Sequence, residues 1–273
     1  MFGDYLNNVK KVHPLIHNIT NYVTVNDCAN ILLACGGSPI MADDPEEAAD
    51  ITSISDGLNI NLGTLNSRTI SSMRLAGQKA CELGKPVVLD PVGAGASKLR
   101  TETAHRLLEE VRFTVIRGNL SEIKCLAAGE GGARGVDADW GDRITPERVD
   151  DLIDLARAFS IKTGAVIAIT GAIDLVVSAA EAYCIYNGHP MMASVTGTGC
   201  QLSALTAAFV AANPGRAAAA TSAAIAAMGL AGEQAYRRLT PEDGNASYRI
   251  YLIDAIYRLT AQELEQKARC ELR

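Results

Sequence analysis

Short apolar, β-branched runs recur along the chain with helix-like segments between them, and each closes in a polar or glycine-containing turn. The runs that predict strands cover residues 57–63, 86–92, 113–118 and 165–171, followed by a pair around 174–178 and 182–187. Patterned segments between them predict helices, among them 67–83, 102–110 and 146–163. The last of these starts at Thr145-Pro146-Glu147, a capping hydroxyl before a proline at the first helical position. Another helix is expected to begin near Asn26. After Asn187 the strand signal stops and the pattern reads as helix to the end. This order argues for an α/β fold, a central mostly parallel sheet flanked by helices on both faces, as one domain over residues 1–273. In such an open sheet ligands bind beyond the carboxyl ends of the strands. Those ends carry Asp90-Pro91-Val92-Gly93, Arg117-Gly118-Asn119 and Thr170-Gly171, which would gather a carboxylate, a guanidinium, an amide and a hydroxyl along one edge. The Gly- and Asp-rich segment 129–143 reads as a surface loop at that edge or its neighbour.

Composition narrows the functional classes. With 273 residues, 48% hydrophobic and 21% charged, the chain falls in the globular range, which excludes a disordered or fibrous protein. The 25 basic and 31 acidic residues leave a net charge of −6, giving no footprint for a phosphate backbone or an anionic membrane, so neither is expected as a partner. Cysteines at 28, 35, 81, 125, 184, 200 and 270 form no C-x-x-C pair, which sets aside zinc-ribbon and thioredoxin-like readings and points to a reduced cytoplasmic home. Met1-Phe2-Gly3-Asp4 places an acid where a secretory signal carries basic residues. The most apolar stretch, 190–232, is broken by Gly197, Gly199, Gln201, Asn213 and Pro214 short of the roughly 20 residues a bilayer span needs, and it reads as buried helices.

Within that frame a few motifs carry chemistry. Val195-Thr196-Gly197-Thr198-Gly199-Cys200 opens an uncharged run. Small residues at a helix start expose backbone N–H groups, and the helix dipole adds to them, which suits a phosphate. An ordinary glycine turn before a buried helix fits the same letters. The dinucleotide fingerprint fails here at Leu202 and fails at Gly129-x-Gly131 because Arg134 takes the last position; no P-loop sequence is present. Asp90 and Glu122 each follow a predicted strand. Two carboxylates suit Mg²⁺, which keeps waters and takes one or two protein acids beside substrate phosphates. Asp90-Pro91 also suits a turn, and Glu122, three residues after Asn119, also suits a helix cap. Arg117 ends an apolar strand, where a guanidinium is costly without a phosphate or an acid. The segment from His13 to Thr24 clusters amides and hydroxyls, suited to a small neutral ligand or to capping the following helix. Pro14 opposes a helix spanning His13 and His17, which weighs against a zinc pair. Met41 would ordinarily fill core.

The stretches HNITNYV, SPIMA, NINLGTL, VVLDPVGAGAS, IRGNLSEI, GVD, AITGAIDLV and VTGTGC, in this order, closely resemble the hydroxyethylthiazole kinases, a family of ribokinase-like fold. The resemblance implies ATP-dependent, Mg²⁺-requiring phosphorylation of the primary alcohol of the thiazole precursor of thiamine. It implies Arg117 and Thr170 as ATP-binding residues, joined by Asn119, Gly171 and Thr198. Met41 and Gly197, with Asn21 and Val23, are implied to bind the thiazole, and Asp90 and Glu122 to hold Mg²⁺ directly or through water. Family members are homotrimers with active sites at subunit interfaces, which would let Gly63 and Thr64 serve a neighbouring pocket. Asp90, Gly199 and Cys200 are the implied catalytic group, although Cys200 stands where most ribokinase-like enzymes carry a basic aspartate. A helix N-terminus favours a thiolate, and a passive buried cysteine is equally open. Phosphoryl transfer depends on positioning and charge neutralisation more than on proton removal. Two alternatives stay open: a dehydratase of the same fold that repairs hydrated nicotinamide cofactor with ATP or ADP, and a non-catalytic nucleotide-binding oligomer.

Overall fold

The computed structural model describes residues 2–129 and 144–273. Strands β1 (Leu15–Ile19), β2 (Ser38–Ile40), β3 (Gly57–Asn61), β4 (Val87–Asp90), β5 (Val115–Asn119), β6 (Val166–Thr170), β7 (Asp174–Val177), β8 (Ala182–Ile185) and β9 (Cys270–Leu272) form one sheet in the order β2-β1-β3-β4-β5-β6-β7-β8-β9. Pairing is parallel from β2 through β6 and antiparallel from β6 to β9. The helices are α1 (Phe2–Val12), α2 (Val25–Cys35), α3 (Ala48–Ile54), α4 (Ser67–Glu82), α5 (Lys98–Glu110), α6 (Leu120–Ala128), α7 (Val149–Thr163), α8 (Thr198–Ala211), α9 (Ala217–Arg238), α10 (Asn245–Arg258) and α11 (Ala261–Lys267).

Strand residues alternate between two cores, as the pleat requires. Ile16, Val88, Val115, Val166 and Ala168 join the core built with α1, α2 and α8–α11, while Ile19, Leu58, Ile60, Leu89, Ile116 and Ile167 join the core under α4–α7. The expected α/β architecture with helices on both faces is therefore present. The stretch 190–232 holds α8 and most of α9, and most residues of these helices within it are buried; no helix among the described residues is long and apolar enough to cross a membrane.

Three strands and one helix depart from expectation. β1 occupies a segment read only for side-chain chemistry, α1 one whose start was read only against a secretory signal, and β2 is a three-residue edge strand containing Pro39. The chain is not helical to its end: β9 pairs with β8 at Ile185↔Cys270 and Tyr183↔Leu272. Thr145 does precede a helical turn with Pro146 at its start, but its side chain caps nothing, and the turn is a 3₁₀ segment before α7. The expected loop beyond Gly129, with Gly131, Arg134 and Gly135-Val136-Asp137, lies outside the described residues.

Candidate active site

The pleat that points Val88, Val115 and Ala168 into the α8–α9 core points Asp90, Arg117 and Thr170 toward the same side at the carboxyl edge. The register sets Asn61 opposite Asp90 and Asn119 opposite Thr170. α8 then enters over this edge. Its helical spacing puts Gly199, Cys200 and Ser203 on one face, toward the strands.

Asp90 is fully buried and receives the ends of two hydrogen-bond chains. On one side, Asn61 Nδ2 and Ser203 Oγ donate to Asp90 Oδ2 at 2.7 and 2.8 Å. Asn61 Oδ1 accepts from Gly63 N (2.9 Å) and Asn21 Nδ2 (2.9 Å), so its amide is fixed with the nitrogen toward the carboxylate. Asn21 is oriented in the same way, because its Oδ1 accepts from Thr24 N and Thr24 Oγ1, both at 3.1 Å, leaving Nδ2 to reach Cys200 Sγ at 3.3 Å. On the other side, Arg117 Nη1 stands 3.5 Å from Asp90, and Nη2 donates to Thr170 Oγ1 at 2.7 Å. Arg117 thus has an acid neighbour, and its buried Nε has no partner among the described residues.

Electrostatics follow from burial. Desolvation pushes the Asp90 carboxyl up, opposed by Arg117 and reinforced by the Glu122 charge. Burial, with the Asp90 charge adding to it, also pushes the Cys200 thiol up, so the helix-terminus thiolate allowed by the sequence does not form at neutral pH.

The N-terminus of α8 is open. Its N-cap is Gly197, in a left-handed conformation (φ +85°), and no side chain caps the first turn. A Cβ at Gly197 would stand 2.2 Å from Thr24 Cγ2, and one at Gly199 would stand 2.7 Å from Arg117 Nη1, so only glycine lets α2 and the guanidinium approach this backbone. Thr198 turns its hydroxyl to Met192 O (3.4 Å).

Glu122 and Asn119 form the reciprocal helix cap that their spacing allows: Asn119 Oδ1 accepts from Glu122 N (2.8 Å) and Glu122 Oε2 accepts from Asn119 N (2.9 Å). Glu122 Oε1 accepts from Gly93 N (2.9 Å). Each Glu122 oxygen keeps a free lone pair, and Asp90 senses its charge, so this all-oxygen pair fits Mg²⁺ held in part through water. No cluster of three or more His, Cys, Asp or Glu side chains stands ready for a metal among the described residues.

The remaining positions are spread around this centre. Gly63 and Thr64 pack on their own chain's Asn21 and Tyr22, with Tyr22 N donating to Thr64 Oγ1 at 3.4 Å. Met41 is half-buried against the core that contains Cys200. Val23 is exposed, outside the buried network, and Gly171 is exposed on the β6–β7 turn. Sequence reasoning passed over Asn61, Ser203 and Asp174, and included Thr24 only within the His13–Thr24 cluster. Ser203 was legible as the residue one helical turn after Cys200. Asp174, whose Oδ1 accepts from Gly171 N at 2.9 Å, offered no local signal.

Comparison with known proteins agrees with this layout. The family model described as "HK: Hydroxyethylthiazole kinase family" matches residues 6–262. The chain belongs to the hydroxyethylthiazole kinase family. A hydroxyethylthiazole kinase of Clostridium acetobutylicum is 59% identical over 271 residues, covering 99% of each chain. The solved hydroxyethylthiazole kinase of Pyrococcus horikoshii OT3 superposes with a TM-score of 0.88 at 37% identity, over 100% of this chain and 98% of that one. The pyridoxal kinase of Staphylococcus aureus, solved with AMP-PCP and pyridoxal, shares the fold at 15% identity (TM-score 0.61, over 95% of this chain and 98% of that one). As a member of the hydroxyethylthiazole kinase family, the chain is a phosphotransferase of ribokinase-like architecture.

Proposed function

We propose that this chain transfers the terminal phosphoryl group of ATP to the primary alcohol of 4-methyl-5-(2-hydroxyethyl)thiazole, in thiazole salvage for thiamine biosynthesis. The observation that carries the reading is the open α8 N-terminus with the Arg117 guanidinium packed against Gly199 and its Nε unpartnered. Unsatisfied amides, a helix dipole and a buried cation converge on one spot, which is what a terminal phosphate needs.

In this reading Gly197, Thr198, Gly199 and Cys200 receive the phosphates through their amides, Arg117 neutralises the charge on the transferred group, and Thr170 holds Arg117 in place. Asn119 and Gly171 border the same nucleotide. Asp90 and Glu122 would hold Mg²⁺, directly or through water, and the ion would supply further neutralisation of phosphate charge. The alcohol lies on the Asn21 side, where Met41, Gly197 and Val23 contribute contacts to the ring, and its oxygen attacks phosphorus in line as the bond to the ADP oxygen breaks, its proton passing to an oxygen of the transferred phosphoryl group and from there to solvent. Cys200, protonated and bonded by Asn21, orients the alcohol and does not act as a strong base. Asp90 holds Arg117 and the Asn61 amide in register.

We further propose a cytoplasmic homotrimer whose sites lie at subunit interfaces. The exposed Tyr22 and Val23 beside Asn21 support an added wall from a neighbouring copy, and Gly63-Thr64 stand at the same rim. The test is ADP release coupled to a spectrophotometric readout, with hydroxyethylthiazole and ATP, with and without magnesium. Thiazole-dependent ADP formation is expected. Folded protein that instead repairs hydrated nicotinamide dinucleotide would establish the dehydratase reading, and nucleotide binding without turnover would establish the scaffold reading.

A further inference from the structure

The peptide that presents Met41 is weakly held by the sheet. β2 ends at Ile40, spans only three residues, sits at the sheet edge and contains Pro39, which has no N–H to give the ladder. Past the His17↔Ile40 pair no strand continues the pairing. Two residues on, the Ala42 carbonyl is taken by a side chain: His17 Nε2 lies 2.7 Å from it. His17 is completely buried on β1, and its other nitrogen, Nδ1, lies 2.9 Å from Thr52 Oγ1 on α3.

We infer that His17 is a positioning residue that sets the wall of the acceptor pocket by fixing the Ala42 carbonyl and with it the Met41 side chain. The inference rests on the proposed role of Met41 at the thiazole.

Proton accounting supports a fixed geometry. A carbonyl only accepts, so Nε2 carries the hydrogen. Burial holds the ring below the usual histidine range and keeps it neutral, so Nδ1 accepts from the Thr52 hydroxyl, whose proton it shares with Ala48 O at 2.8 Å. One tautomer and one ring orientation result, and the donor to Ala42 cannot wander. The segment has a second anchor one residue on, where Ser72 Oγ donates to Asp43 O at 2.7 Å. The Arg68 ion pairs with Asp43 and Asp44 are exposed and add little. Between β2 and Ser72, His17 is therefore the tie nearest to Met41. The ring reaches Ala42 from the α3 side of the sheet, while Met41 packs on the opposite core with Cys200, so the anchor lies outside the pocket it shapes.

The experiment is steady-state kinetics on His17→Leu and His17→Gln. Gln restores a donor at the reach of Nε2, whereas Leu does not. For His17→Leu the expected outcome is a KM for the thiazole alcohol raised roughly tenfold, the loss expected when one buried hydrogen bond is removed. Its KM for ATP should stay within about twofold and kcat should be little changed, while His17→Gln recovers most of the loss. Met41→Ala, alone and combined with His17→Leu, should give a combined effect smaller than the product of the two, because both act on one wall. If His17→Leu is insoluble, Thr52→Val, which removes the hydroxyl that fixes the tautomer, is measured in its place. Unchanged thiazole KM, a parallel rise in both KM values, no rescue by Gln, or full multiplicativity with Met41→Ala would each overturn the inference. A wild-type enzyme without thiazole-dependent turnover would overturn the functional reading itself, so the two failures are distinct.

Discussion

Gly199→Ala should weaken nucleotide binding sharply while leaving the enzyme folded. Position 199 lies in the first turn of α8 and is not among the positive-φ glycines, so alanine fits the backbone there. In a helix alanine is favoured over glycine by about 0.5–1 kcal/mol. The new methyl would stand 2.7 Å from Arg117 Nη1 and 2.8 Å from Nη2, closer than side chains approach. The guanidinium is the flexible partner, so it swings away and loses its 2.7 Å bond to Thr170. One hydrogen bond to a charged group is worth about 1.5–3 kcal/mol, or roughly 10- to 150-fold in affinity. Calorimetric titration with a non-hydrolysable ATP analogue, run beside thermal unfolding, reads both effects. Because the broken bond belongs to the unliganded fold and outweighs the helix gain, the expected result is a folded enzyme with a Tm somewhat below wild type and binding weakened by about tenfold or more. A folded Gly199→Ala enzyme with wild-type Kd for the analogue and wild-type ADP release would refute the proposed use of Arg117 and the α8 amides.

Asp90→Asn and Arg117→Ala should each lower kcat by about 10²–10³, the scale of losing one preorganised electrostatic group, while Cys200→Ala should cost less than about tenfold because its thiol is protonated; a Cys200→Ala enzyme that binds ATP yet is inactive would contradict this. Burial pushes Asp174 from 3.8 up to about 7. The folded state therefore holds a proton that the unfolded chain releases, and the stability tied to this group falls as pH rises from about 4 to about 7. Asp174→Asn keeps an acceptor for Gly171 N, so its Tm should gain on wild type across that window and run parallel above it; parallel curves throughout would count against the assignment. Gly77→Ala would bring a Cβ to 2.5 Å from Val111 Cγ2, and the overpacking should cost about 1–3 kcal/mol by denaturant unfolding with KM values unchanged.

The sheet interior was legible because β3 to β8 are apolar runs closed by turns, and those six strands lie within two residues of expectation at each end. β1 escaped because His17 and Asn18 interrupt its apolar pattern. Both are paired inside the fold, Asn18 Nδ2 with Ile16 O and Asn18 Oδ1 with Asn59 Nδ2, so their polarity carries no sign of exposure. β9 escaped because its partner, β8, is some eighty residues away in sequence, and its own Glu271 and Leu272 are exposed. At the site, the strand-end rule found Asp90, Arg117 and Thr170, and the small-residue turn found α8. The ambiguity at Glu122 dissolved rather than resolved, since a cap through one lone pair leaves others for a cation. What the sequence withheld were the amides of Asn21 and Asn61 as oriented links, because amide direction is set by contacts between β1, β3 and α2 that no local pattern encodes.

Asp90 terminates both the Asn21–Asn61 chain and the Arg117–Thr170 chain, so under the proposed assignment of ATP to the guanidinium and the thiazole to the amides the two substrates would not load independently. A molecule that pulls on the guanidinium alters the charge felt by the amides, and one that pulls on the amides alters the hold on the guanidinium. Thermodynamic reciprocity would then require that ATP change thiazole affinity by the same factor by which the thiazole changes ATP affinity, with a single carboxylate as the point of coupling.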